Sequence, residues 1–76
     1  SFVLYPNPTN GLLTIQNVHQ TNGAIHILSA TGTNVLSTQF AGSDAHVDFT
    51  DLNRGIYFVQ ITNDHGQMST HRVVKQ

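Results

Sequence analysis

The chain has 76 residues, a formal charge of −1 at pH 7 and only 9% charged residues, which excludes the basic surface typical of nucleic-acid-binding proteins. It has no cysteine, which excludes a disulfide framework and a thiolate metal site. No apolar run approaches the ~20 residues of a membrane-spanning helix, so we expect no membrane insertion and no nucleic-acid partner. We expect one domain over residues 1–76, which we interpret as part of a longer secreted protein.

Glycines divide the chain at regular intervals of 9 to 13 residues. They are Gly11, Gly23, Gly32, Gly42, Gly55 and Gly66. Each lies in a polar cluster that favours a turn, and short apolar runs separate the clusters. Turn signals at this spacing are typical of an antiparallel β-sandwich. No segment has the periodicity of an amphipathic helix.

The first predicted strand covers residues 2–5 and ends at the segment Pro6–Pro8. Proline fixes φ and removes a backbone donor, so two prolines around one asparagine predict a stiff, extended exit from the strand. The sequence Thr9-Asn10-Gly11 then predicts a turn, because Asn and Gly tolerate positive φ.

The remaining alternating segments predict six further strands, at 12–18, 24–29, 35–40, 46–50, 56–61 and 67–75. The sequence Thr21-Asn22-Gly23 predicts the turn between the second and third of the seven strands. Seven short strands predict an all-β fold, a seven-stranded antiparallel Ig-like β-sandwich.

The longest β-branched and aromatic run in the chain begins at Ile56. Side chains alternate between the two faces of a strand, so Tyr57, Val59 and Ile61 share one face. Ile56 and Phe58 fall on the other face. Apolar residues on both faces predict a central strand that is covered on both sides for part of its length.

A polar corner precedes this strand. We expect Leu52 to pack under the corner, and Gly55 to supply a backbone angle or a close approach that a Cβ would block. The position of Tyr57 is similar to the tyrosine corner of Ig-type sandwiches, in which the hydroxyl bonds to nearby backbone. An ordinary core aromatic is the alternative interpretation of this tyrosine.

Residues that could support catalysis or metal binding are few. Histidines occur at positions 19, 26, 46, 65 and 71 without the paired spacing of metal sites. Asp48 and Asp51 could hold calcium together with a carbonyl, but the dense Asp/Asn loop of calcium sites is missing, and a turn role for Asp51 is the alternative. We therefore expect neither an enzyme nor a cofactor.

Four segments together resemble the C-terminal sorting domains of the type IX secretion system. Tyr5-Pro6-Asn7-Pro8 with Gly11 resembles the opening of that family, and Ser29-Ala30-Thr31-Gly32 resembles its hairpin. Leu52-Asn53-Arg54-Gly55-Ile56-Tyr57 fits its L-x-x-G-x-Y block, and Arg72-Val73-Val74-Lys75 fits its last strand. The chain departs from the pattern in ending with Gln76 and in carrying Ser29, where an acidic residue is frequent.

The resemblance implies a role in protein export rather than in chemistry. Members of this family form the C-terminus of enzymes and adhesins of Gram-negative bacteria. The resemblance further implies that an N-terminal cargo domain folds in the periplasm and crosses the outer membrane to the cell surface or the medium. The implied partners are the outer-membrane translocon, a shuttle and a sortase-like peptidase that removes the domain.

Two roles for the family-motif residues follow as hypotheses. We expect Gly32, Leu52, Gly55 and Tyr57 to hold the fold, and Pro6–Pro8 to set the first turn, with direct recognition by the machinery as the alternative. The last strand lies at the end of the chain, where an edge strand can pair with a partner.

Within that strand, Arg72, Val73, Val74 and Lys75 are the candidate residues for docking on the translocon. The alternative is a solvated edge strand whose charges oppose aggregation.

Two other function classes remain open, namely a carbohydrate-binding or adhesive β-sandwich module and a passive Ig-like spacer. The chain has no tryptophan, the residue that such modules commonly expose to stack on sugars.

Overall fold

The computed structural model describes residues 2–17 and 19–76. This part of the chain contains seven strands and no helix. In chain order the strands are β1 (Phe2–Tyr5), β2 (Leu12–Asn17), β3 (Asn22–Ser29), β4 (Asn34–Ala41), β5 (Ala45–Asp48), β6 (Gly55–Asn63) and β7 (Met68–Lys75).

The strands form two antiparallel sheets. One sheet has three strands in the order β1-β2-β5, and the other has four in the order β4-β3-β6-β7. The two inner faces share one core, so the architecture is an all-β sandwich consistent with the Ig-like prediction. The chain therefore buries one face of each sheet and leaves the other to solvent.

The core consists of the alternating apolar residues of both sheets. Its buried members are Leu13, Ile15, Ile25, Ile27, Phe40, Val47, Phe49, Tyr57, Val59, Ile61 and Val73. Tyr57, Val59 and Ile61 share one face of the central strand β6, as predicted, and this face lies in the core. Its other face is not covered as expected, because Ile56 is 38% exposed and Phe58 is only half-buried.

The predicted turn at Thr21–Gly23 is wrong. Asn22 and Gly23 instead begin β3, because tertiary packing overrides the local turn signal. A Cβ on Gly23 would lie 2.0 Å from the carbonyl oxygen of Thr62, so only glycine fits this close approach to β6.

The chain turns earlier, and the side chain of Asn17 stabilises the connection. Asn17 Nδ2 donates to the carbonyl of Thr21 (2.7 Å), and Asn17 Oδ1 accepts from the Thr21 N–H (3.2 Å). Gln20 has φ +53°, in the left-handed region. The predicted strand end at Val18 lies outside the described residues.

The fifth strand is shorter than its predicted range of 46–50. Asp48 Oδ1 accepts a hydrogen bond from the Thr50 N–H at 2.8 Å and a short one from the Thr50 hydroxyl. This local bond turns the chain, so β5 ends at Asp48. Phe49 stays buried in the core beyond the end of the strand.

Candidate functional site

The segment Pro6–Thr9, which we term the edge cap, lies along the outer edge of β7. The side chain of Asn7 substitutes for a neighbouring strand there. Its Nδ2 donates to the carbonyl of Arg72 (2.9 Å), and its Oδ1 accepts from the N–H of Val74 (3.0 Å). One side chain thus satisfies a donor and an acceptor of the edge strand.

Thr9 continues the cap with its backbone. Its N–H donates to the carbonyl of Val74 (2.8 Å), and its carbonyl accepts from the N–H of Gln76 (2.9 Å). Its side chain is fully buried, with the hydroxyl donating to the carbonyl of Leu12 (2.8 Å) and accepting from the N–H of Gly11 (3.1 Å). The connection between β1 and β2 is therefore fixed to the last strand.

The edge cap corrects the expectation of an extended exit from β1. Residues 6–8 form bends, and the Tyr5–Pro6 and Asn7–Pro8 peptide bonds are both cis. Asn7 lies against β7, where its side-chain amide makes one donor and one acceptor hydrogen bond. The turn role of Pro6–Pro8 stays a prediction, with direct recognition by the machinery as its alternative.

The four residues proposed for docking divide between the two faces of β7. Val73 is fully buried and Lys75 is only 9% exposed, and both face the core. The ammonium of Lys75 donates to the carbonyl of Leu52 at 3.4 Å. Arg72 is exposed and Val74 half-buried on the outer face. Docking stays a prediction, with Arg72 and Val74 as the side chains that a partner can reach.

The tyrosine corner is present. The hydroxyl of Tyr57 donates to the carbonyl of Asn53 at 2.6 Å, and its ring packs edge-on against Phe49 with centroids 5.5 Å apart. Leu52 packs against the same core. Gly55 has φ +150° with open space around its Cβ position, so the corner needs its backbone angle rather than a close approach.

The other two motif glycines serve different local needs. Gly32 has φ +91° in the link between β3 and β4, where a residue with a Cβ is strained. A Cβ on Gly11 would lie 2.8 Å from Thr50 Oγ1. Gly11 also accepts a hydrogen bond from the Phe49 N–H (2.7 Å), which joins the start of β2 to the end of β5.

The described residues contain no group of three His or Asp side chains placed to hold a metal ion. The Thr50 hydroxyl and N–H that bond the Asp48 carboxylate lower its pKa below the usual value. Burial lowers the pKa of His71, whose Nε2 lies 3.0 Å from the hydroxyl of Ser69. These are isolated local pairs rather than a catalytic arrangement.

Surface recesses of the described residues include one at each end of β6. The larger, about 460 Å³, lies among the start of β3, the end of β4 and the end of β6, and Asp64 is its one charged lining residue. The smaller, about 230 Å³, lies beside the tyrosine corner between Arg54 and Ile56. Neither recess has the convergent polar groups of an active site.

The comparison with known families agrees with this geometry. Residues 3–76 match the family of secretion system C-terminal sorting domains. The chain belongs to this family. None of the curated proteins matches the chain. The family's opening motif and its last strand, separated in sequence, meet here through the edge cap.

A sorting domain of this family is the type IX secretion signal of a cargo protein, and the family is not an enzyme family. Its cargo reaches the cell surface or the medium of Gram-negative bacteria. Within residues 2–17 and 19–76 there is no helix that could cross a membrane.

Sequence reasoning did not predict the edge cap or the burial of Lys75. Asn7 and Val74 are 67 residues apart in the chain, so no local pattern links them. The alternation along β7 was the available signal for Lys75, since it shares the inward parity of Val73.

Proposed function

We propose that residues 1–76 act as one C-terminal sorting domain that directs an N-terminal cargo across the outer membrane, and that a sortase-like peptidase then removes it. The cargo passes through the periplasm, where the domain folds. The outer-membrane translocon and a shuttle protein are its partners in transit. The family match over residues 3–76 is the observation that carries this proposal.

The folded sandwich, rather than a linear segment, is the signal in this proposal. The family motifs support this, because they serve the fold: Tyr57 bonds Asn53, and Asn7 closes the edge of β7. A short linear signal would not need motif residues in the core and at both ends of the chain. Recognition then depends on surfaces that only the folded domain presents.

An export assay tests the sorting function. Residues 1–76 are fused after a fluorescent protein that is targeted to the periplasm of a bacterium with a type IX system. We expect the reporter outside the cell, and we expect it to stay in the periplasm when the host lacks the translocon. Retention in the periplasm of both hosts would reject the function.

The cleavage step needs its own measurement. The exported reporter is compared by mass spectrometry in hosts with and without the sortase-like peptidase. We expect a product without the domain in the first host and the complete fusion in the second. An intact fusion in both hosts would remove cleavage from the proposal and leave export standing.

The rival of a carbohydrate-binding module is tested separately. Sugar-binding modules present exposed aromatic side chains on which sugars stack. In the described chain Tyr5, which is 47% accessible, is the exposed aromatic side chain. A glycan array that retains the purified domain would favour this rival.

A passive spacer is favoured if the fused domain folds but is exported no better than the reporter alone.

A further inference from the structure

The outer face of the four-stranded sheet carries an apolar patch, which we term the outer patch. It consists of Leu28, Ile56, Phe58 and Val74. Leu28 lies opposite Phe58 in the sheet register, and Ile56 lies opposite Val74. All four side chains are partly accessible, and Ile56 is 38% exposed. The described part of the chain provides no element that covers this face.

Both exposed arginines of the chain border the outer patch. Arg72 lies directly opposite Phe58, and Arg54 lines the 230 Å³ recess together with Ile56. Neither guanidinium has a carboxylate within 4 Å in the described chain, where the one contact of this kind joins His65 Nε2 to Asp64 Oδ1 at 3.6 Å. The third cation, Lys75, is buried.

The four-stranded sheet contains no acidic residue in any of its strands. The acids of the chain lie in the loops, in the β6–β7 turn and in β5, at Asp44, Asp48, Asp51 and Asp64. The outer patch is therefore apolar and cationic, without a negative charge of its own sheet to neutralise it. Such a surface is complementary to an acidic partner.

The position of Arg72 is fixed by the edge cap. Asn7 bonds the backbone carbonyl of Arg72 and the N–H of Val74, so these two residues are held next to each other on a closed edge. A partner that docks here contacts side chains of the sheet face rather than the strand backbone, because the backbone groups at this end of β7 are already hydrogen-bonded.

We propose that the outer patch and its two arginines form the docking surface for an acidic, apolar segment of a partner protein in the export machinery. This rests on the proposed sorting function. A membrane surface fits less well, since lipid-binding surfaces use clusters of about four to eight basic residues. An acidic protein segment can neutralise two arginines and cover the four apolar side chains together.

The test compares two charge-matched variants of the reporter fusion. The variant Arg54→Gln/Arg72→Gln lowers the net charge by two at the outer patch. The control Gln16→Glu/Ser43→Asp lowers it by two at exposed positions away from this sheet face, in β2 and in the β4–β5 loop. We expect export to fall on the order of tenfold for the arginine pair and to stay near the parent level for the control.

An apolar pair of variants tests the rest of the surface. Ile56→Ser removes an exposed side chain of the outer patch, and Val3→Ser removes one of similar exposure from the three-stranded sheet. We expect only the first to lower export. Thermal unfolding of each purified variant shows whether the domain remains folded, and export is compared among folded variants alone.

Other export results for the parent, the arginine variant and the control contradict either the docking surface or the sorting function. If the parent is exported and the folded arginine pair is exported equally, the docking surface is wrong while the sorting function stands. If the control falls as far as the arginine pair, net charge explains the effect and the surface is wrong. If the parent is not exported, the sorting function fails, and the docking proposal fails with it.

A vesicle-binding assay tests the alternative that this surface binds a membrane. The purified domain is sedimented with phosphatidylglycerol vesicles and with neutral phosphatidylcholine vesicles. We expect no binding to either. Binding to the anionic vesicles that disappears in Arg54→Gln/Arg72→Gln would overturn the protein partner in favour of a membrane surface.

Discussion

Tyr57 connects the core to the corner before β6. Its ring packs on Phe49 inside the sandwich, and its hydroxyl reaches back four residues to the carbonyl of Asn53. The ring and the hydroxyl therefore make separable contributions to stability. The ring fills core volume, whereas the hydroxyl fixes the path of the loop that ends at Gly55.

Replacing Tyr57 in two ways separates these contributions. We expect Tyr57→Phe to lower the free energy of unfolding by about 1 kcal/mol, the usual net value of one hydrogen bond. We expect Tyr57→Ala to lower it by about 3–5 kcal/mol through the cavity that it leaves. Urea unfolding followed by circular dichroism measures both values.

Tyr5→Phe is the matched control, because Tyr5 is exposed on the other sheet. We expect it to unfold at the parental urea midpoint. A Tyr57→Ala variant with the parental midpoint would contradict the core role of the ring. A Tyr57→Phe variant with the parental midpoint would contradict the contribution of the Asn53 bond.

His71 gives the stability of the domain a predictable dependence on pH. Burial lowers its pKa in the folded state, so the unfolded chain binds its proton more readily. The stabilisation is complete above the unfolded pKa, about 6.5, and is lost as pH falls toward the lower folded value. We expect His71→Gln to flatten the fall in stability between about pH 7 and 5.

Measurement of the ring protons by NMR gives the pKa of His71 directly. We expect a folded value below 6.5, its ordinary value. A folded value of 6.5 or above, or equal pH slopes for the parent and the His71→Gln variant, would contradict this account. The parent protein under the same buffers is the reference.

At the scale of the element, the edge cap protects the end of β7. An open edge strand exposes unpaired backbone groups that pair with other chains. Asn7 and Thr9 bond the outward-facing groups from Arg72 to Gln76. This leaves the first half of β7, Met68–Thr70, as the uncapped part of the strand. Proline is well suited to flank Asn7, because it fixes φ on both sides of that residue.

Removing the Asn7 side chain tests the cap. We expect Asn7→Ala to lower the free energy of unfolding by about 1–3 kcal/mol through the loss of two hydrogen bonds. We also expect the purified variant to self-associate through the opened edge, which size-exclusion chromatography detects. Asn10→Ala changes an exposed asparagine of the same connection and serves as the control.

Two results would contradict the role of the cap. One is an Asn7→Ala variant that is as stable as Asn10→Ala. The other is a destabilised variant that stays monomeric at every concentration, since this would mean that the closed edge does not prevent pairing. In the second case Asn7 would contribute to stability alone.

The strands were predictable from the sequence because their signal is local. Alternation with period two placed Tyr57, Val59 and Ile61 on one face, and in the structure this face is buried. The start of β3 at Asn22 was not predictable in the same way, because the local sequence favours a turn there. Glycine is needed at position 23 because β6 approaches the backbone closely there. This is a tertiary effect, which local turn propensities do not include.

The whole molecule is asymmetric in charge. Its four-stranded sheet has no acidic residue, while the aspartates lie in the loops, in the β6–β7 turn and in β5. The chain order does not reveal this, because Arg54 lies only three residues after Asp51. In the described structure neither arginine has a carboxylate within 4 Å, and the register of β6 and β7 brings Arg72 opposite Phe58. The candidate docking surface therefore needed the structure, whereas the family motifs needed only the sequence.

The central claim is that the machinery reads a folded sandwich. The most direct measurement is the exported fraction of the reporter fused to the parent domain, to Tyr57→Phe and to Tyr57→Ala, set against the folded fraction of each purified domain. We predict that Tyr57→Phe is exported like the parent, and that export of Tyr57→Ala falls in proportion to its loss of folded protein. Export of an unfolded Tyr57→Ala domain at the parental level would contradict the claim, since a linear segment would then carry the signal.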